Sequence, residues 1–201
     1  AADERFFAAP GAAALEDLRA RHGLDRPFVF AAGTLEPRKN LPRLVEAYAG
    51  LPDDVRSAHR LVLAGPAGWE MDATLRAARA NPDDVRLLGQ VSDADLALLY
   101  AACTVFAYPS LYEGFGLPVL EAMAAGAPVL TSDVSSLPEV GGDAVLTADP
   151  RDVEAIRAGL AALLADPARR AALGAAGRER AREFSWDRFA AQLLDRALEL
   201  A

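Results

Sequence analysis

Apolar residues recur along this chain in two alternating rhythms. Short runs rich in β-branched, aliphatic and aromatic residues, bounded by glycine, proline or polar residues, predict buried strands at residues 27–33, 60–65, 85–89, 104–108, 127–131 and 144–147. Between and after them, apolar positions return at helical spacing. Leu41, Leu44, Val45 and Tyr48 mark a helix over 40–48, and similar patterns predict helices at 13–22, 69–80, 93–102, 152–164, 167–184 and 186–200. Residues 133–142 read as a loop with one turn of helix. Strands alternating with helices predict an α/β fold, a doubly wound parallel sheet of Rossmann-like type, because right-handed crossovers place helices on both faces. The last three helices follow the sheet.

One stretch organises the rest. The strand at 104–108 runs into Pro109-Ser-Leu-Tyr-Glu113-Gly-Phe-Gly116-Leu-Pro118-Val-Leu-Glu121. Pro118 suits a first turn, and the spacing of Leu117, Leu120, Ala124 and Ala125 predicts a helix from about residue 117 that Gly126 stops. Gly114 and Gly116 let a ligand approach the backbone. The N–H groups of Phe115, Gly116 and Leu117, with the helix dipole, favour an anion such as phosphate. Glu113 and Glu121 bracket this seat with seven residues between them. Carboxylates repel phosphate but accept strongly from sugar hydroxyls, so the pair suits a ligand with a central diphosphate and polyols at both ends. A nucleotide sugar has that form.

A second loop agrees. Gly33-Thr34-Leu-Glu36-Pro-Arg38-Lys39-Asn40 joins the first strand to its helix. A basic loop at the carboxyl end of a parallel strand lies where open α/β sheets bind ligands, which makes Arg38 and Lys39 candidates for the diphosphate. Lys39 is the single lysine among 21 basic residues, and an ammonium point charge suits phosphate.

With these two loops, the chain resembles glycosyltransferase family 4 from about residue 28 onward. The segment from Glu113 to Glu121 is similar to its E-x7-E motif, and Gly33-Thr34-Leu-Glu-Pro-Arg38-Lys39-Asn40 resembles its mannosyltransferase-like branch. The resemblance implies one half of a two-domain GT-B enzyme: residues 1–201 as the C-terminal nucleotide-sugar-binding domain, 1–26 following an interdomain linker, and 185–201 as a final helix that crosses to an N-terminal acceptor-binding domain. It implies a retaining reaction with no cofactor and no metal. Glu113 would face the donor sugar, Glu121 the ribose, and Val91 and Asp93 the base, with Glu113, Arg38 and Lys39 as the catalytic set. Gly33 and Thr34 stand where some relatives carry an extra arginine, so the phosphate contacts there are expected to differ. A carboxylate at Asp93 can accept both N–H groups of a guanine edge, which leans toward GDP, and the branch toward mannose, as donor; a UDP-sugar is the alternative. The acceptor would be a glycan or a lipid-linked sugar, and the domain alone is expected to bind donor without turnover.

Composition narrows the classes. The 201 residues, 52% hydrophobic, fill one domain. A net charge of −8 argues against a nucleic-acid partner, and no run of about 20 apolar residues predicts a membrane span. The start, Ala-Ala-Asp without methionine, reads as a piece of a longer protein, which leaves room for peripheral membrane association of its parent. One cysteine, Cys103, reads as a core residue and fits a reducing cytoplasm. His22 and His59 read as residues of polar connecting segments. Ser92 with Asp95 reads as a helix cap with a capping-box-like partner in preference to a metal-binding Asp93-Ala-Asp95. A regulatory or nucleotide-binding module without transfer activity remains the reading from another class. A dinucleotide-binding version would require G-x-G-x-x-G after the first strand, and that is absent.

Overall fold

The structure, a computed structural model, describes residues 1–199. Its core is a parallel sheet of six strands: β1 (Phe28–Ala32), β2 (Arg60–Ala64), β3 (Val85–Gly89), β4 (Val105–Tyr108), β5 (Val129–Ser132) and β6 (Leu146–Ala148). They lie in the order β3-β2-β1-β4-β5-β6, so the winding direction reverses between β1 and β4. The helices are α1 (Ala12–His22), α2 (Leu41–Ala49), α3 (Asp53–Ala58), α4 (Asp72–Arg79), α5 (Asp93–Ala102), α6 (Leu117–Ala124), α7 (Leu137–Gly141), α8 (Val153–Ala165), α9 (Pro167–Arg182) and α10 (Trp186–Glu199).

Every residue of β1, β4 and β5 is buried, which is why β1 and β4 read as continuous apolar runs; β5 ends in the buried hydroxyls of Thr131 and Ser132. Their side chains alternate between two cores. Phe28, Phe30, Phe106 and Tyr108 pack with Leu99, Tyr100, Leu120 and Met123 from α5 and α6. Val29, Ala31, Val105 and Ala107 pack with Leu44, Tyr48, Ile156 and Leu160 from α2 and α8. The two clusters are the two faces of a doubly wound sheet.

The pattern misplaces several boundaries. The predicted helix at 69–80 starts only at Asp72, because Glu70 has φ 51° and cannot continue a right-handed helix. The strand predicted at 127–131 starts at Val129, after Pro128. That predicted at 144–147 is displaced to Leu146–Ala148 by a 3-10 turn over Gly142–Ala144. α3 lies in a stretch predicted as connection; it buries no residue and so leaves no apolar stripe to read. Asn40, predicted as helix, is instead the cap of α2, with φ 60°.

His22 stands where the predicted helix at 13–22 ends, so only its reading as part of a connecting segment is corrected. It is the last residue of α1, and its ring meets the buried Asp95 carboxylate at 2.9 Å, beside the bonds from Arg21 Nη1 at 2.7 and 2.8 Å. Ser92 Oγ does cap α5 by accepting from Asp95 N–H, but the Asp95 carboxylate turns to α1 rather than back to close a capping box. Burial alone pushes the Asp95 carboxyl up; Arg21 and His22 reverse this and hold it below its ordinary value.

α10 buries none of its residues, and Trp186, Phe189, Leu193, Leu194 and Leu198 are exposed along it. Its predicted end at 200, and residue 201, lie outside the described residues. Among the described residues, no helix is long and apolar enough to cross a membrane.

Candidate donor site

Both central loops lie at the carboxyl ends of β1 and β4, on either side of the point where the strand order reverses. In open α/β sheets that crevice is the usual ligand site. Leu111 N–H donates to Arg38 C=O at 2.8 Å and joins the loops directly. Asn40 Nδ2 donates to Pro109 C=O at 2.9 Å and Pro150 C=O at 2.6 Å, tying in the loop after β6. In its left-handed conformation Asn40 makes no capping bond to the α2 backbone; its Nδ2 serves those carbonyls while its Oδ1 accepts from Arg43 Nη1 on α2 at 2.9 Å.

Glu113 is the centre of the site, and its two oxygens differ. Oε1 accepts from Lys39 Nζ at 2.6 Å, Tyr108 Oη at 2.8 Å and Ser110 Oγ at 2.8 Å. Oε2 meets Arg38 Nη1 at 2.5 Å. Lys39 also donates to Tyr108 Oη. Lys39 and Glu113 are 7% and 8% exposed, so this is a buried ion pair, whereas the Arg38 side chain keeps 42% of its surface and also pairs with Glu36 at 2.5 Å. Burial pushes the Glu113 carboxyl up, but hydrogen bonds from Lys39, Arg38, Tyr108 and Ser110 outweigh it and hold it below the ordinary glutamate value. Tyr108 is pushed up by burial and by the Glu113 charge, so it stays a neutral donor.

α6 begins at Leu117, directly after Gly116, whose φ is 103°. A side chain at Gly116 would be strained, and its Cβ would stand 2.7 Å from Leu137 Cδ2. Ser136 Oγ stands 2.8 Å from the Phe115 carbonyl and 3.1 Å from that of Glu113, its one hydrogen shared between them, and Glu113 N–H donates to Ser135 Oγ at 3.2 Å. Among the described residues, the N–H groups of Gly114, Phe115, Gly116 and Leu117 have no protein acceptor. Gly114 is open to solvent, with nothing within 4 Å of where a Cβ would be. The loop is therefore fixed by its carbonyl side and leaves its donors unsatisfied at the positive end of a helix, a ready place for an anion.

The remaining predicted residues spread outward from this seat. Gly33 and Thr34 are half-buried in the β1 loop, with the Lys39 stem 3.2 Å from where a Gly33 Cβ would stand. Glu121 accepts from Tyr100 Oη at 3.2 Å; burial pushes its carboxyl up, and Tyr100 only partly offsets this. Val91 is half-buried before α5, and Asp93, the first residue of α5, is exposed and bonded to Arg5. Pattern reading did not single out Tyr108, Ser110, Ser135, Ser136 or Arg5. Tyr108 and Ser110 stand within the apolar strand and its exit, where a hydroxyl looks like any strand-end residue. Among the described residues, no three His, Cys, Asp or Glu side chains gather where they could hold a metal ion.

Comparison with known proteins bears on the family and the fold. Residues 16–180 match the family model of glycosyl transferases group 1. The chain is 47% identical over 170 residues to an O-antigen chain mannosyltransferase B of Escherichia coli, covering 84% of this chain and 45% of that protein. It is 34% identical over 197 residues to a GDP-mannose-dependent alpha-(1-6)-phosphatidylinositol monomannoside mannosyltransferase of Mycobacterium tuberculosis, covering 92% and 51%. The chain thus spans about half the length of these relatives. In fold it superposes on Anabaena Alr3699/HepE, solved in complex with UDP and glucose, with a TM-score of 0.83 at 21% identity, covering all of this chain and 56% of that one. With the matched residues taking in both loops, all six strands and the central carboxylate, the chain belongs to the glycosyl transferases group 1 family.

Proposed function

We propose that this chain is the donor-binding domain of a retaining, metal-independent glycosyltransferase that moves a hexose, mannose from GDP-mannose, to a glycan or lipid-linked acceptor. One observation carries the reading. At the reversal point of the sheet, the half-exposed Arg38 and a run of N–H groups with no protein acceptor among the described residues stand beside a carboxylate whose Oε2 that arginine holds, with Lys39 buried behind it on Oε1. The diphosphate sits on the α6 N–H groups and takes Arg38 from Glu113. Glu113 Oε2 is then free to accept from a hydroxyl of the sugar, while Lys39, Tyr108 and Ser110 keep Oε1 in place. Glu121 accepts from the ribose.

In transfer, the bond from the anomeric carbon to the diphosphate oxygen breaks and its electron pair leaves with the diphosphate. The growing negative charge is stabilised by Arg38, Lys39 and the helix N–H groups, and Glu113 stabilises the positive charge on the sugar. The acceptor hydroxyl bonds to the anomeric carbon from the face the diphosphate leaves, and its proton passes to a departing phosphate oxygen. The acceptor side of the cleft comes from an N-terminal domain of the longer protein, and the apolar stripe of α10 packs against that domain. Alone, the chain binds donor without transferring it.

The names of the mannosyltransferase relatives support mannose, and the GDP-mannose dependence named for one of them supports guanine. The UDP bound to the structural neighbour supports the second reading, a UDP-sugar donor. Calorimetric titration with GDP and with UDP, in EDTA, tests both. Binding of GDP ahead of UDP is expected, weakened about ten- to a hundredfold by Arg38→Ala, the loss of one charge-assisted contact worth ~1.5–3 kcal/mol. A preference for UDP selects the second reading; binding of neither nucleotide, or equal binding by the variant, overturns the phosphate seat.

A further inference from the structure

The amino-terminal segment packs beside Asp93 and, through Tyr100, beside Glu121, the residues expected at the base and the ribose. Residues Glu4–Phe7 form a 3-10 turn capped by Asp3, whose Oδ1 accepts from Arg5 N–H. The same carboxylate grips the Arg5 guanidinium from behind, at 3.0 Å on Nε and 3.2 Å on Nη2. Arg5 Nη1 then donates to Asp93 Oδ2 at 2.8 Å, across 88 positions of sequence. Below it, Phe6 is buried edge-on against the Tyr100 ring at 5.7 Å, and Tyr100 donates to Glu121. The turn is therefore anchored to the residues that carry Glu121 and Asp93, and its one arginine is fixed on three sides.

Isolated surface ion pairs rarely hold such geometry, since two long side chains lose entropy for little gain. Here a bidentate aspartate and a buried phenylalanine orient the guanidinium in advance. Both members of the front pair stay accessible, with 46% of the Arg5 side chain and 79% of the Asp93 side chain exposed. Nη1 carries two hydrogens and spends one on Asp93, so a donor stands directly beside an acceptor.

We propose that Arg5 is a base-reading residue, which with Asp93 forms an acceptor–donor edge matched to the guanine of a guanosine diphosphate sugar. This rests on the nucleotide-sugar reading above. Guanine offers two adjacent N–H donors and, next to them, the O6 acceptor. Asp93 takes the N–H groups and the free Arg5 Nη1 hydrogen takes O6. Uracil offers one N–H between two carbonyl oxygens, so one of its oxygens meets the Asp93 carboxylate. Adenine turns an unprotonated ring nitrogen toward it.

The test is the ratio of affinities for GDP and UDP, measured with GDP, UDP and inosine diphosphate on the chain and on Arg5→Gln, Arg5→Lys and Asp93→Asn, with melting temperature recorded for each. In Arg5→Gln the GDP-over-UDP ratio should fall about tenfold while binding remains, the loss of one hydrogen bond to a charged donor. Arg5→Lys should recover part of it. Inosine diphosphate, which keeps O6 but lacks the 2-amino group, should lose the same factor as GDP in Arg5→Gln and less than GDP in Asp93→Asn. An unchanged ratio in Arg5→Gln, or tighter GDP binding, overturns the role of Arg5 and leaves the phosphate seat standing. If no nucleotide binds the wild type, both fall.

Discussion

Replacing Lys39 by methionine keeps a side chain of similar length and removes its charge. It leaves Glu113, 8% exposed, with Arg38, Tyr108 and Ser110 as partners but no buried cation. Removing one member of a buried ion pair generally costs about 3–5 kcal/mol, because the survivor is charged and poorly solvated. With three partners remaining, the low end, about 3 kcal/mol, applies here. For a domain of this size each kcal/mol moves the melting temperature by about 2–4 °C, so Lys39→Met should melt about 6–12 °C below wild type. Scanning calorimetry at neutral pH reads this directly. The double variant Lys39→Met, Glu113→Gln is the control, since a neutral amide has no buried charge to strand, and it should recover much of the loss. A single variant that melts within about 2 °C of wild type, with a double variant no better, refutes the buried pair as the centre of the site.

Two further outcomes follow from the same contacts. The Glu113 carboxyl is held below its ordinary value of 4.5, so its stabilising contribution is fully present above that pH and is lost as pH falls through the lower folded value. The wild-type advantage over Glu113→Gln should therefore shrink on acidification below about pH 4.5, and an advantage constant with pH in thermal melts would contradict this. Gly116→Ala places a side chain at φ 103°, 2.7 Å from Leu137, and should cost about 1–2 kcal/mol while weakening nucleoside diphosphate binding through a displaced α6 start; normal binding by a normally stable variant would remove Gly116 from the site.

The fold was legible because a doubly wound sheet buries its central strands on both faces. Phe28–Ala32 and Val105–Tyr108 are apolar throughout for that reason. What escaped reading lacked such a stripe. α3 buries nothing, and the late start of α4 depends on a single backbone dihedral at Glu70. The candidate site was legible as residue types at fixed spacing, because glycines, a helix start and flanking acids are local features. Their mutual arrangement was not. Lys39 and Glu113 are 74 positions apart, and only the adjacency of β1 and β4 reveals that the cation expected on phosphate is bonded to the carboxylate expected on sugar. The same holds for Arg5 and Asp93, and for His22 and Asp95, whose pairings depend on where the amino-terminal segment packs against α5.

The most direct measurement is a crystal structure of this chain with GDP bound. The arrangement expected has diphosphate oxygens on the N–H groups of Phe115, Gly116 and Leu117, Arg38 turned from Glu113 Oε2 to the phosphates, Lys39 still on Oε1, and the base beside Asp93. A nucleotide lodged elsewhere, or a diphosphate that leaves the Arg38–Glu113 contact closed and the α6 N–H groups untouched, would contradict it.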